Sequence, residues 1–122
     1  MIKVITLLTR RTGLSPEEFR QYYEQNHRLI GEKYIAGYAQ RYVRRYVCPA
    51  DSSTQYGALP DFDVLMEIWF PDHDSLQAAM TRLAQPAAQE EIIADEEQLF
   101  DRAKTVTFIV DEDESQLPTL PG

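Results

Sequence analysis

The sequence predicts an α+β domain in which helices cover one side of an antiparallel sheet. Three observations lead to this prediction. Four short segments have strand-like composition or alternation, two longer segments repeat apolar residues at helical spacing, and the helical segments lie between strand segments. The 122 residues, 43% hydrophobic and 26% charged, have the length and composition of one globular domain. We place this domain at residues 1–112 and assign residues 113–122, which show no periodicity, to a C-terminal tail.

The first strand and the first helix have the clearest local signals. The run from Lys3 to Leu8 is short and rich in β-branched residues, which predicts a buried strand ending before the turn at Gly13. The sequence of residues 15–18, Ser-Pro-Glu-Glu, combines an N-cap, a proline at the first helical position and a capping-box glutamate. Apolar residues at helical spacing extend this helix to about Lys33.

The middle of the chain predicts two strands separated by a loop. Residues 38–47 alternate in pattern, which puts Tyr38, Tyr42 and Tyr46 on one face of a strand. Residues 61–70 also alternate, with Trp69 on the face opposite the aliphatic side chains. The polar stretch of residues 49–60 between them is typical of a loop.

Two helical pieces and a last strand complete the domain. Apolar spacing predicts a helix that begins near Asp74 or Ser75 and a second piece after Pro86. Residues 105–110 are β-branched and predict the fourth strand. The order strand, helix, strand, strand, helix, strand is the βαββαβ arrangement of a ferredoxin-like domain.

Such a domain leaves one face of its sheet uncovered by helices. We expect this face to carry the strand tyrosines, Trp69 and aliphatic residues, which is more apolar surface than a soluble monomer leaves exposed. Packing two sheets face to face would cover it and would enclose a space that one small chain cannot form. We therefore expect a homodimer.

Composition excludes several classes of partner. The formal net charge of −8 argues against nucleic acid and against anionic membranes, since both need a cationic surface. The charge is divided, with a net +5 in residues 1–50 and −13 in residues 51–122, so the halves could attract each other within a subunit or across a dimer, or could simply be solvated.

A single cysteine, Cys48, and no signal-peptide pattern lead us to expect a cytoplasmic protein.

His27 and Asp95 are the candidate catalytic residues. At 100° per residue His27 lies about 80° from Phe19, at the edge of the apolar stripe of the first helix. A histidine there is either a satisfied structural residue or a proton-transfer group that faces a cavity. Asp95 lies about 20° from Ala88, within an apolar stripe, so it must pair with a backbone amide, a tyrosine or a histidine. Its neighbours Glu96 and Glu97 are expected to be solvated.

The strand tyrosines could line a cavity that holds an aromatic ligand, or they could be present because aromatic residues suit strands. His73 between Asp72 and Asp74 is explained by a turn and is not a metal signature. The sequence contains no phosphate loop, zinc spacing or nucleophile-elbow motif. We therefore expect no metal and no cofactor.

Two stretches resemble a known family. The segment IKVITLLTRRTGLSPEEFRQYYEQNH, residues 2–27, joins a strand to a Ser-Pro-Glu-Glu-Phe helix start and ends on His27. The segment ADEEQLFDRAKTVTFIVDE, residues 94–112, contains Asp95 in an Asp-Glu-x-x-x-Phe pattern. Both are similar to the EthD family of the dimeric α/β-barrel superfamily, and together they bracket residues 1–112.

The resemblance implies a ferredoxin-like subunit that pairs into a barrel, with a cavity between sheet and helices or within the barrel. It also implies cofactor-independent chemistry on small, often aromatic or polyketide-like molecules of secondary metabolism, including dehydration, decarboxylation, cyclisation, isomerisation and oxygenation. His27 matches the histidine of the first-helix motif. The loop of residues 49–60 has no counterpart in the pattern.

The functional hypothesis from the sequence is a lyase or isomerase acting on a small hydrophobic carbonyl or phenol compound. His27 would transfer a proton next to the carbonyl, while Asp95 would hold the imidazole tautomer or supply a proton as a neutral acid. Substrate-binding residues are expected to shape the cavity, and Arg44 or a tyrosine hydroxyl to stabilise an enolate or phenolate. These expected substrate-binding residues are Tyr23, Tyr38, Tyr42, Arg44, Tyr46 and Trp69. The alternatives are a non-catalytic dimer that binds a small ligand, and a haem-dependent or cofactor-free monooxygenase.

Overall fold

The computed structural model of the protein describes residues 1–48 and 59–121. Most of the predicted loop between the second and third strands, residues 49–58, therefore lies outside the described residues. Residues 111–121 form neither helix nor strand.

The elements follow the predicted order. The four strands are β1 (Ile2–Leu8), β2 (Arg41–Tyr46), β3 (Val64–Phe70) and β4 (Val106–Val110). The helices are α1 (Pro16–Tyr22), which continues through a π-helical turn (Tyr23–His27) into α2 (Arg28–Ile35), then α3 (His73–Leu83) and α4 (Pro86–Leu99). A short 3-10 turn (Arg102–Lys104) leads into β4.

The strands form one sheet in the order β2-β3-β1-β4, and every neighbouring pair is antiparallel. The central strand β3 carries the fully buried residues Val64 and Phe70 on its helix-covered side, and the buried Leu8 of β1, the other central strand, pairs with Val64. The helices pack on this side of the sheet and leave the opposite face uncovered, as expected for a βαββαβ domain. The predicted α+β, ferredoxin-like fold is confirmed.

The start of the first helix has the predicted capping box. The backbone N–H of Glu18 donates to Ser15 Oγ at 3.1 Å, and the Glu18 carboxylate accepts from the Ser15 N–H at 3.0 Å. Pro16 occupies the first helical position, where its missing N–H costs no hydrogen bond. Local chemistry alone therefore sets where this helix begins.

The second strand is shorter than predicted and does not include Tyr38. Gly37 adopts a φ of 89°, which ends α2, and the Tyr38 N–H donates to the carbonyl of Ile35 at 3.1 Å in the turn that follows. The Tyr38 side chain packs beside Phe70 and Leu76 in one of the two core clusters. A turn, rather than the tyrosine alternation, therefore determines the position of Tyr38.

The expectation that the strand tyrosines lie on the open face of the sheet is wrong. Tyr42 pairs with Ile68 and Tyr46 pairs with Val64, which places both tyrosines on the face that the helices cover. The open face carries other apolar residues, with Trp69 and Leu65 on β3, Ile5 and Leu7 on β1, Val43 on β2, and Val106 and Phe108 on β4.

Several ion pairs join the basic first half of the chain to the acidic second half within one subunit. Lys3 contacts Glu112 at 2.6 Å, and Lys33 contacts Glu91 at 2.9 Å. Both pairs are at the surface, so each contributes little to stability. No helix in residues 1–48 or 59–121 combines the length and apolar character needed to cross a membrane.

Candidate active site

A cavity of about 240 Å³ lies between the helix-covered face of the sheet and the helices. Its walls are mostly apolar, with a few hydroxyl groups, one imidazole and one carboxyl. The lining residues are Thr6, Leu8, Tyr23, His27, Ile30, Gly31, Ile35, Tyr42, Met66, Ile68, Leu83, Ile92, Glu96, Phe100, Thr105 and Thr107. The site is thus built within one subunit, on the side of the sheet away from the open face.

His27 lines this cavity as the last residue of the π-helical turn. The Arg28 N–H donates to the carbonyl of Tyr23, five residues earlier, so this turn holds more residues than an α-helical turn and rotates less per residue. His27 consequently lies closer to the apolar stripe than regular α-helical geometry predicts, and its side chain is only 12% exposed. The imidazole meets the rings of Tyr23 and Phe100 edge to face, at centroid distances of 5.3 and 5.2 Å.

Asp95 connects α4 to the first helix through two short hydrogen bonds. Its Oδ2 lies 2.8 Å from His27 Nδ1, and its Oδ1 accepts the hydroxyl of Tyr22 at 2.6 Å. Because a carboxylate only accepts hydrogen bonds, the imidazole proton in this bond resides on Nδ1. Nε2 is then the ring nitrogen that can exchange a proton with a molecule in the cavity.

Of the expected partners of Asp95, a backbone amide, a tyrosine or a histidine, the structure contains the tyrosine and the histidine. Tyr22 itself is not predicted, because nothing in the local sequence distinguishes it from other helix tyrosines. The hydrogen bond to Asp95 is the main reason that the pKa of Tyr22 rises to about 12. Tyr22 therefore keeps its proton and remains a donor to Asp95 throughout the neutral range.

Glu96 also lines the cavity, contrary to the expectation that it is solvated. It is half-buried, and burial raises the pKa of its carboxyl, while the nearby charges of Arg102 and His27 act in the opposite direction. No described residue makes a hydrogen bond to this carboxyl. Periodicity missed Glu96 because its burial depends on chain segments that pack over α4.

A pair of tyrosine hydroxyls forms another polar part of the cavity. Tyr23 Oη and Tyr42 Oη are 2.9 Å apart, and the Tyr23 hydroxyl also lies 3.4 Å from Met66 Sδ. Gly31 lets the helix approach this pair closely, since a Cβ at Gly31 would lie 3.1 Å from the Tyr42 ring and hydroxyl. Burial raises the pKa of Tyr42 to about 12 and that of Tyr23 well above its ordinary value.

Arg44 and Tyr46 lie on the same face as Tyr42 but do not line the cavity. Arg44 makes a bidentate pair with Glu24, with two N–O distances of 2.8 Å, and Tyr46 donates to Glu24 at 2.6 Å. The Arg44 hydrogen bonds hold the pKa of Glu24 below its ordinary value. The guanidinium is thus already neutralised, and Arg44 does not lie at the cavity wall, where the expected contact with an enolate would place it.

Two further expected substrate contacts lie elsewhere. Trp69 points from the open face, where Lys3 and Arg41 stack on its ring at 3.7 and 4.4 Å. Tyr38 packs in the core near α3 and is not part of the cavity wall. Of the expected substrate-binding residues, only Tyr23 and Tyr42 join His27 at the cavity.

Threonines supply the remaining polar groups of the wall. Thr6 and Thr107 pair through their hydroxyls at 3.1 Å, whereas the buried hydroxyl of Thr105 has no partner among the described residues. Within the described ranges no group of three His, Cys, Asp or Glu side chains could hold a metal ion. The cavity therefore offers an imidazole, a carboxyl and several hydroxyls to a ligand.

The chain belongs to the EthD family, because the sequence model of the EthD domain matches residues 11–103. Both His27 and Asp95 fall within this range. No protein in a set of curated sequences matches the chain.

Solved structures of the same fold extend over nearly the whole chain. An EthD family protein from Bacillus halodurans is 18% identical, with a TM-score of 0.63, and the alignment covers 93% of this chain and 99% of that one. A dimeric ferredoxin-like protein of unknown function from Thermobifida fusca is 13% identical, with a TM-score of 0.56 and coverage of 89% and 88%. SnoaB, a cofactor-independent oxygenase from Streptomyces nogalater, is 16% identical, with a TM-score of 0.54 and coverage of 99% and 97%. At these identities the similarity establishes the fold.

Stability at alkaline pH should report on the buried tyrosine pair. The pKa of Tyr42 is higher in the folded than in the unfolded chain, so its contribution is complete below pH 10 and is lost as the pH rises towards about 12. The rise in the pKa of Tyr42 from 10 to about 12 on folding is about a hundredfold difference in proton affinity. Each tenfold difference corresponds to about 1.4 kcal/mol, so Tyr42 should account for about 2–3 kcal/mol of the lost stability. Urea unfolding of the wild type and Tyr42→Phe from pH 9 to 12 measures it. The variant should lose stability less steeply, and equal slopes would show that Tyr42 ionises as freely as in an unfolded chain.

Proposed function

We propose that the protein is a cofactor-independent lyase or isomerase that transfers protons on a small, hydrophobic compound bearing a carbonyl or phenol group. The observation that carries this proposal is the 2.8 Å contact between His27 Nδ1 and Asp95 at the wall of the cavity. A histidine whose second nitrogen is fixed by a carboxylate has the arrangement of a general base. The mostly apolar walls favour a neutral substrate and exclude water from around the reacting group.

In this mechanism Nε2 of His27 takes a proton from the carbon next to the carbonyl. Asp95 does not contact the substrate but keeps the proton of the neutral ring on Nδ1 and stabilises the imidazolium that forms. The hydroxyl of Tyr42, which shares its hydrogen bond with Tyr23, is the donor available to the enolate oxygen. The reaction then ends by protonation at another atom, which gives an isomer, or by loss of a leaving group, which gives an elimination product.

Oxygenation is the second candidate, because the structurally similar SnoaB is a cofactor-independent oxygenase. Removal of a proton by His27 would be the first step of that reaction as well. A third possibility is a dimer that binds a small ligand without converting it. Proton exchange on a bound ketone separates this possibility from the two enzymatic ones.

The same proposal includes a homodimer that forms through the open face of the sheet and acts in the cytoplasm. Val106 and Phe108 on β4 are 51% and 40% exposed on this face. Contiguous apolar surface of this kind is typical of an interface. A dimeric neighbour of the same fold supports this arrangement.

The catalytic role of His27 is tested by exchange of the protons next to the carbonyl of phenylacetone in D₂O, followed by NMR. His27→Asn keeps an N–H for Asp95 but removes the base, so the exchange rate should fall roughly 10²-fold or more. His73→Asn is the matched control, because His73 is exposed at the start of α3 and should leave the rate unchanged. Equal rates for the wild type and His27→Asn would contradict the mechanism. Binding of phenylacetone without exchange by the wild type would favour the binding protein.

The dimer is tested by sedimentation equilibrium of Phe108→Glu. A charge in the middle of a buried apolar interface is costly, so this variant should sediment with the mass of one chain while the wild type sediments with twice that mass. Leu29→Glu is the matched control, because Leu29 is 51% exposed on α2, on the opposite side of the sheet. A wild type with the mass of a single chain would contradict the proposed homodimer.

A further inference from the structure

The cavity contains a second titratable group that the mechanism so far leaves unused. Glu96 follows Asp95 on α4, lines the cavity and makes no side-chain hydrogen bond to a described residue. It is half-buried, so it loses part of its hydration, and no hydrogen bond from a described residue replaces what is lost. The groups with the largest charge effects on Glu96 are Arg102 from the 3-10 turn, His27 from the first helix and Asp95 from α4.

A second polar group of the cavity wall also lacks a partner. The Thr105 hydroxyl is buried in the segment that leads into β4, and no described residue accepts or donates a hydrogen bond there. A buried hydroxyl without a partner is a hydrogen-bonding group that a ligand in the cavity could satisfy. Glu96 and Thr105 together give the cavity an unpartnered carboxyl and an unpartnered hydroxyl, in addition to the imidazole.

The cavity also lacks a cation for a substrate carboxylate. None of its described lining residues is a lysine or an arginine, and Arg44, the basic residue beside Tyr42, is paired with Glu24. This charge pattern disfavours decarboxylation of a free acid and favours a neutral substrate with two oxygen functions.

We propose that Glu96 is a second catalytic residue, which protonates a leaving hydroxyl that Thr105 holds by a hydrogen bond, and that the reaction is the dehydration of a neutral β-hydroxy ketone. This inference rests on the proposed function, since it needs His27 as the base. His27 Nε2 takes the α-proton, the C–H electron pair forms the C=C bond, and the β C–O bond breaks. The departing oxygen takes the proton of Glu96 and leaves as water. The products are an enone and water, and proton transfer through solvent from His27 to Glu96 restores both groups.

Hydroxide is a poor leaving group, whereas acetate leaves without prior protonation, and this difference isolates the role of Glu96. The test uses 4-hydroxy-4-phenylbutan-2-one and its acetate ester, both of which give the same enone, followed by its ultraviolet absorbance. Glu96→Gln should reduce kcat for the alcohol by roughly 10²-fold or more, and the loss on the acetate should be at least tenfold smaller. His27→Asn should reduce the rates on both compounds alike.

Glu97→Gln is the matched control, because Glu97 is the exposed neighbour of Glu96 on the same helix and should leave both rates unchanged. Circular dichroism of Glu96→Gln verifies that α4 is intact. Equal losses on alcohol and acetate in Glu96→Gln, or no loss on either, would overturn the role of Glu96 while leaving that of His27 in place. A wild type that converts neither compound would overturn the dehydration. Unchanged rates in His27→Asn would instead overturn the proposed function, and this inference with it.

Discussion

The candidate site depends on one carboxylate, Asp95, which joins two helices over the sheet. Its two oxygens accept the Nδ1–H of His27 and the hydroxyl of Tyr22, so the three groups fix one another. His27 ends the π-helical turn, and Asp95 holds its ring beside the rings of Tyr23 and Phe100. Without this link neither ring nitrogen would be fixed as the basic one.

The basic side chain beside Tyr42 is paired with a carboxylate and does not line the cavity. Arg44 is the basic side chain best placed to bind an anion beside Tyr42, and Glu24 neutralises it through two hydrogen bonds. Burial keeps Tyr23 and Tyr42 protonated, so they act as donors at neutral pH. The described lining of the cavity then contains one imidazole and one carboxyl but no lysine or arginine.

The sequence predicts the features that depend on short-range spacing and fails on those that depend on tertiary packing. The capping box at Ser15 and the inward direction of Asp95 are local properties of regular helices, and both predictions agree with the structure. Which sheet face Tyr42 occupies depends on strand register and on which face the helices cover, and no local pattern encodes either. Glu96 becomes half-buried through packing of distant segments. The position of His27 around its helix also differs from the prediction, because the prediction uses 100° per residue and the π-helical turn rotates by less.

The most direct test of the proposed site is the tautomer of His27, which nitrogen NMR of histidine-labelled protein measures. In the neutral ring, the hydrogen bond to Asp95 should place the proton on Nδ1 and leave Nε2 unprotonated. In Asp95→Asn, whose amide can also donate a hydrogen bond, the signals should shift towards the other tautomer, while those of His73 should not change. A wild-type His27 that carries its proton on Nε2 would contradict the proposed role of His27, because that nitrogen could not accept a proton from a substrate.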